Sequence, residues 1–295
     1  MDDTQNLVVE SMRRAKESMK YCNNSDDLRL DVKLMAAVHP KDLDIVPTVF
    51  DSYGVLKRLY NGRFPLIQEI IDLALTGHVH MSHLMYTNAD IVLHPNFYCE
   101  AKTLLQLRTY DAFTSDRITI PKATTMEDFF ETTIQGKRFR TERKHPGKDC
   151  FVFSKEIWQQ MNLGKSFIGT TAFSNEIMIQ MTHYAKTFKF FPSFESPLTY
   201  HRGNDMKWSK KDFNIHLKRG VVSAVCENGY EYYCKKTLTD KSHPLKLSYC
   251  SGMREKARKI WKLNYQPFGP HNSTKWSHEG KERHQDEFQI QIDTL

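Results

Sequence analysis

Residues Met81 to Leu93 constrain the fold of this chain most, because the apolar run Leu84-Met85-Tyr86 delivers Thr87-Asn88-Ala89-Asp90 and then turns apolar again. A short apolar run bounded by polar residues reads as a buried central strand of a parallel sheet. Such sheets bind ligands just beyond the carboxyl ends of their strands. Side chains two apart on extended backbone point the same way. The Asn88 amide oxygen and the Asp90 carboxylate can therefore face one hard cation, Mg²⁺ or Mn²⁺, carrying a phosphorylated substrate. The same pattern also suits a turn capped by Asn88 and a helix capped by Asp90.

Strand and helix signals alternate around this stretch. Leu7, Val8, Met12, Ala15 and Met19 mark one face of a helix over Gln5–Lys20, and Val32–Val38 reads as a strand stopped by His39-Pro40. Residues Lys41–Arg63 read as an irregular loop with turns at Tyr53-Gly54 and Asn61-Gly62. Pro65 opens a helix closed by Gly77, and helices are expected over Pro95–Leu107, Thr124–Ile134 and Ser166–Phe188, with a strand at Tyr110–Thr114. Thr125-Met126-Glu127-Asp128 offers a cap and first-turn acids. The alternation predicts an α/β layered fold with a mostly parallel sheet. No strand precedes the first helix, so a first strand is expected to be lacking and Val32–Val38 to have a vacant neighbour position.

Two further polar blocks end or begin apolar runs. In His145-Pro146-Gly147-Lys148-Asp149 a tight turn leads into the strand Cys150–Phe153. Asp149 there can orient a hydroxyl or take its proton, or can simply bond the amides of the turn. In Leu198-Thr199-Tyr200-His201-Arg202-Gly203-Asn204-Asp205, His201 can complete a metal shell begun by Asn88 and Asp90 or serve as a hydrogen-bonded structural residue. Arg202 can pair with a phosphate.

Composition narrows the classes. With 295 residues, 40% hydrophobic and 12% aromatic, the chain can bury a large core. It has no run of eighteen apolar residues, so no membrane span is expected, and Met1-Asp2-Asp3 is acidic where a signal peptide is basic. A cytoplasmic location follows for the chain as written, with the secretory pathway left open if the native N-terminus is longer. The charge of +7 is scattered apart from Lys207–Lys211 and Lys235-Lys236, which suits small anionic ligands and not nucleic acid. The six cysteines form no C-x-x-C pair. Cys226, Cys234 and Cys250 are crowded enough for a disulfide, while Cys99 and Cys150 read as buried small apolar residues. Asn23 and Asn272 stand in glycosylation acceptors that decide nothing.

The series Tyr86-Thr87-Asn88-Ala89-Asp90-Ile91 with Pro95, Phe97 and Tyr98, then His145-Pro146-Gly147 with Asp149-Cys150-Phe151-Val152-Phe153, then Tyr200-His201 with Gly203-Asn204-Asp205 and Trp208, resembles a little-characterised family of GT-A-like nucleotide-diphospho-sugar transferases. The resemblance covers residues 5 to 210. It implies a Rossmann-like sheet flanked by helices, and a D-x-D motif that holds a divalent cation and the diphosphate of a sugar nucleotide. Asp90 matches the last acidic position, Asn88 the first and His201 a later His ligand. Asn at the first position keeps an oxygen ligand and removes a charge.

The resulting expectation is a catalytic domain over 1–210 and an extension over 211–295 ending in a loosely ordered polar tail. The domain would transfer a sugar from a nucleotide-diphosphate donor to a hydroxyl acceptor on a glycan, protein or small molecule. The metal ligands would be Asn88, Asp90 and His201, and His145, Lys148 and Arg202 would help hold the donor together with Asn88 and Asp90. Asp149, or alternatively Asp205, would deprotonate the acceptor. Two other readings compete: a nucleotidyltransferase on the same fold, and a non-catalytic descendant serving as a scaffold. A carboxylate held in a cleft against its neighbours' repulsion makes Asp90→Asn neutral or slightly stabilising for folding.

Overall fold

The computed structural model describes residues 3–22, 30–57, 59–60, 64–107, 110–139, 143–163, 166–168, 171–191 and 197–203. Asp205, Trp208, the extension over 211–295, the clustered Cys226, Cys234 and Cys250, both glycosylation acceptors and the Asn61-Gly62 turn lie outside them. The chain opens with helix α1 (Asp3–Cys22), strand β1 (Met35–Val38), a 3₁₀ turn (Pro40–Ile45) and β2 (Ser52–Val55), followed by the short strands β3 (Leu59–Tyr60) and β4 (Phe64–Pro65). Helix α2 (Ile67–Gly77), β5 (His83–Thr87), β6 (Ile91–Leu93), α3 (Phe97–Lys102) with a π-helical turn over Thr103–Leu107, β7 (Ala112–Ile120) and α4 (Met126–Ile134) come next. Then come β8 (Arg143–Ser154), α5 (Lys155–Gln160), α6 (Thr171–Tyr184), β9 (Phe188–Phe191) and β10 (Thr199–Arg202).

The α/β class stands, but the large sheet is mixed and not mostly parallel. Its order is β5-β8-β7-β10-β6, with β9 pairing the first half of β7 beside β10. Strand β8 runs antiparallel to both β5 and β7, and β6 runs antiparallel to β10, while β9 and β10 lie parallel to β7. Apolar runs report burial on two faces and carry no information about direction. The run Cys150–Phe153 is therefore buried as expected yet points the opposite way.

Period-two alternation places helices on both faces of the sheet. Along β8, Cys150 and Val152 join one core with α1, α3 and α4, whereas Phe151 and Phe153 join a second core with α2, α5 and α6. Buried Ser11 of α1 donates to the Val8 carbonyl and accepts from the Leu93 backbone N–H at 2.9 Å, tying the helix to β6. The capping expectation holds: Thr125 accepts from the Asp128 N–H and Asp128 accepts in return from the Thr125 N–H.

Three further differences have local causes. The loop expected over 41–63 contains β2, which pairs in parallel with β1 and takes one neighbour position beside it. The tight turn expected at His145–Lys148 is a bulge inside β8. Between the pairs Asp116–Lys148 and Arg117–His145, β7 advances one residue and β8 three, leaving Pro146 and Gly147 as surplus. Proline lacks the N–H that a ladder needs, which is why it sits at the bulge. Cys99 is not a lone apolar residue: it forms a disulfide with Cys22 across 77 residues, joining the end of α1 to α3. Lys102 donates to the Cys22 carbonyl and so caps the same helix end. Cys150 is a free buried thiol, as expected.

Strands β5 and β6 sit at opposite margins of the sheet, yet only Asn88, Ala89 and Asp90 separate them. Four chain steps reach at most about 14 Å, whereas four strand spacings in a flat sheet cover about 19 Å. The sheet is therefore curled until its margins meet at this turn. Among the described residues no helix is long and apolar enough to cross a membrane.

Candidate functional site

The margin where the curled sheet closes gathers the residues of interest. Strands β5, β7 and β10 run in one direction, so the ends of β5 and β10 share one side of the sheet. After β5 the chain makes a tight turn in which the Ile91 N–H donates to the Asn88 carbonyl. Asp90 stands within this turn, and Ile91 pairs with His201 across the β6–β10 ladder. That register carries the Asp90 carboxylate to His201, with Oδ2 at 3.2 Å from Nε2. The expected convergence of these two residues from 111 positions apart is thus a property of the fold.

The imidazole has a defined orientation. His201 Nδ1 donates to the Gly203 carbonyl at 2.7 Å, and Gly203 adopts φ +74°, a conformation that glycine adopts without strain. The tautomer assigned from this bond turns the Nε2 lone pair of a neutral ring toward Asp90. A neutral ring of that tautomer would set two lone pairs against each other at 3.2 Å, a repulsion that positive charge between them removes. A proton, giving an imidazolium–carboxylate pair, and a metal ion both supply that charge. Burial alone would raise the Asp90 carboxyl, but the His201 hydrogen bond and charge, with the Arg117 guanidinium, outweigh it and hold the group below its ordinary value. About half of the Asp90 side chain, 51%, is open to solvent, against 13% for His201.

The Asn88 side chain is engaged by Tyr86 and Asp149. Its Oδ1 accepts from the Tyr86 phenol at 2.6 Å, and its Nδ2 donates to Asp149 Oδ1 at 2.9 Å. Burial, with the charges of Asp149 and Asp90, pushes the Tyr86 phenol up, so it remains a donor. The second oxygen of Asp149 is held by Arg117 Nη1 at 2.5 Å, and the Asp149 carbonyl accepts from the Asn88 N–H. Burial raises the Asp149 carboxyl; Arg117 opposes this, Asp90 adds to it, and the net displacement is upward.

The remaining expected ligands are dispersed. Lys148 is buried against Asp116 at 3.2 Å and over the Phe190 ring. Arg202 donates from Nε to the Lys122 carbonyl. His145 contributes backbone to the ladder opposite Arg117, and its side chain lies outside the described residues, as does Asp205. Arg117 is the site residue that the sequence reading missed. Its signal was Asp116-Arg117 inside the strand Ala112–Ile120, where charges set among buried residues require partners on the next strand.

Asp90 and His201 could together hold a divalent cation that takes its other ligands from phosphate oxygens and water, with the carboxylate the ligand that a hard cation prefers. Among the described residues, no three His, Cys, Asp or Glu side chains gather into a metal-holding group. No family model matches the chain, and no curated protein matches it.

Proposed function

We propose that this chain is a cation-assisted transferase that moves a sugar from a nucleotide-diphosphate donor to a hydroxyl acceptor. The observation that carries the reading is the Asp90–His201 pair, set on a sheet margin with Oδ2 3.2 Å from Nε2 and the carboxylate half open to solvent. Such a pair supplies two protein ligands and leaves room for diphosphate oxygens. Mg²⁺ or Mn²⁺ bound there would offset the negative charge that grows on the departing diphosphate. Gly203 fixes the imidazole, and the turn from Asn88 to Ile91 fixes the carboxylate, so neither needs to reorganise. Asp149 has both oxygens engaged by Arg117 and Asn88, which suits anchoring better than proton abstraction. That leaves Asp205 as the alternative base.

A non-catalytic binding role is the second reading, favoured by the engagement of both ends of the Asn88 amide, with Tyr86 and with Asp149. The Cys22–Cys99 disulfide supports folding in an oxidising compartment, because such bonds seldom persist in reducing ones.

Calorimetric titration of Mn²⁺, with and without a nucleoside diphosphate, into wild type, Asp90→Asn and His201→Ala tests the site. The expected result is binding in wild type that either substitution weakens by at least about tenfold. Equal affinities in three folded proteins would overturn the reading. Donor hydrolysis by wild type, with release of free sugar, then separates transferase from scaffold.

A further inference from the structure

We infer that Arg117, Asp149 and Asn88 form a positioning relay, in which the Asn88 amide bridges Tyr86 and Asp149 and thereby sets the turn that presents Asp90. The inference rests on reading Asp90 and His201 as a cation site, and it assigns Asn88 to the support of that site instead of to the ion. Each link is a short contact between groups that are largely shielded from water. Arg117 holds one oxygen of Asp149 at 2.5 Å, with 14% and 11% of the two side chains exposed. The other Asp149 oxygen accepts from Asn88 Nδ2 at 2.9 Å, and Asn88 Oδ1 accepts from the Tyr86 phenol at 2.6 Å. The main chain repeats the connection, since the Asn88 N–H donates to the Asp149 carbonyl and the Asn88 carbonyl accepts from Ile91.

Only a side chain that donates from one end and accepts at the other satisfies both neighbours, and a carboxamide does so. A carboxylate at 88 would still accept from Tyr86 but would set an anionic oxygen against Asp149 where Nδ2 now stands. What faces residue 88 therefore favours a carboxamide there over the carboxylate of a D-x-D motif. The negative charge absent there sits one strand away at Asp149, where Arg117 fixes it. The β8 bulge makes this possible: the register shifts between Thr114, Asp116 and Arg117 bring Arg117 to Asp149, although its ladder partner is His145.

This leads to an outcome opposite to that expected from motif restoration. Asn88→Asp, which recreates D-x-D, should lower the melting temperature by several degrees and weaken Mn²⁺ binding by about tenfold or more. The double change Asn88→Asp with Asp149→Asn reverses the polarity of the bridge, keeps an oxygen for Arg117, and should recover most of both losses. The experiment is thermal unfolding and Mn²⁺ calorimetry on the full chain for wild type, both single variants and the double. If Asn88→Asp binds Mn²⁺ more tightly at unchanged melting temperature, Asn88 is a ligand position and the relay is wrong. If the double variant is no better than the sum of the singles, the bridge does not exist as described. Should wild type bind no Mn²⁺, the cation reading fails while the melting temperatures still judge the relay. Should Asn88→Asp not fold, recovery of folding in the double decides.

Discussion

Replacing Cys22 and Cys99 together by Ser removes a cross-link whose contribution follows from the loop it closes. The two cysteines are 77 residues apart in sequence. In the chain-entropy treatment a closed loop of that length costs the denatured chain about 15 cal/mol/K, which is about 4.5 kcal/mol at 25 °C. The native side should change little, because α1 remains packed through Leu7, Val8, Met12, Ala15 and Met19, and Lys102 still caps the helix end through a backbone carbonyl. The loss therefore belongs to the denatured state, and this gives a second signature. Without the bond the unfolded chain expands and exposes more surface, so the denaturant slope should rise as the midpoint falls. At a urea slope of about 3 kcal/mol/M the midpoint should drop by about 1.5 M. The assay is equilibrium urea unfolding of wild type and the double Ser variant, each with and without reductant. Reductant should bring wild type to the variant's curve and leave the variant unmoved. A midpoint change below about 0.3 M, or native wild type in which Cys22 and Cys99 react as free thiols, would refute the reasoning.

Gly203→Ala forces a side chain into the left-handed region at φ +74°, with its Cβ at 3.4 Å from Lys122 Cβ. It should cost about 1–2 kcal/mol in urea unfolding. It should also weaken Mn²⁺ binding, since the displaced carbonyl is the one that orients His201. The Arg13 hydrogen bond, opposed by burial and helped by Arg14, lowers the Glu10 carboxyl from 4.5 to about 2. A lowered carboxyl stabilises the fold above its unfolded value and loses that contribution as pH falls through its folded one. Glu10→Gln should therefore be less stable than wild type at neutral pH, by under about 1 kcal/mol because the arginines are exposed. The two acid-unfolding curves should converge as pH falls from 4.5 to about 2. Parallel curves across that range would refute the pairing.

Much of the layering was legible because it depends on periodicity. The alternation through Cys150–Phe153 and the helical stripe of α1 fixed which residues meet the cores. Thr125 and Asp128 announced their helix start because a capping box is local. Asp90 and His201 were found because each ends an apolar run, and runs that end in polar groups mark a sheet margin. What was not legible depends on pairing. Strand direction, the union of Cys22 with Cys99 and the meeting of Arg117 with Asp149 are decided by which segments become neighbours in space. Pro146-Gly147 suggested a turn because proline and glycine break ladders in turns and bulges alike, and only the register tells them apart. The expectation that Asp90 is held against repulsion also changes sign. With His201 and Arg117 close by, its charge is favoured, so Asp90→Asn should weaken the fold slightly instead of strengthening it.

The curling of the sheet bears on how a ligand would be received. Asn88, Ala89 and Asp90 are the thread between two strands on opposite margins of one sheet. Releasing that thread would part the margins, whereas an ordinary surface loop can open while the sheet beneath it stays intact. The conformational freedom of these residues, about 1–2 kcal/mol each for the backbone, is thus given up when the chain folds and not when a ligand arrives. Capture at Asp90 should then be governed by desolvation and charge, with little ordering entropy and with an association rate that does not wait on loop closure.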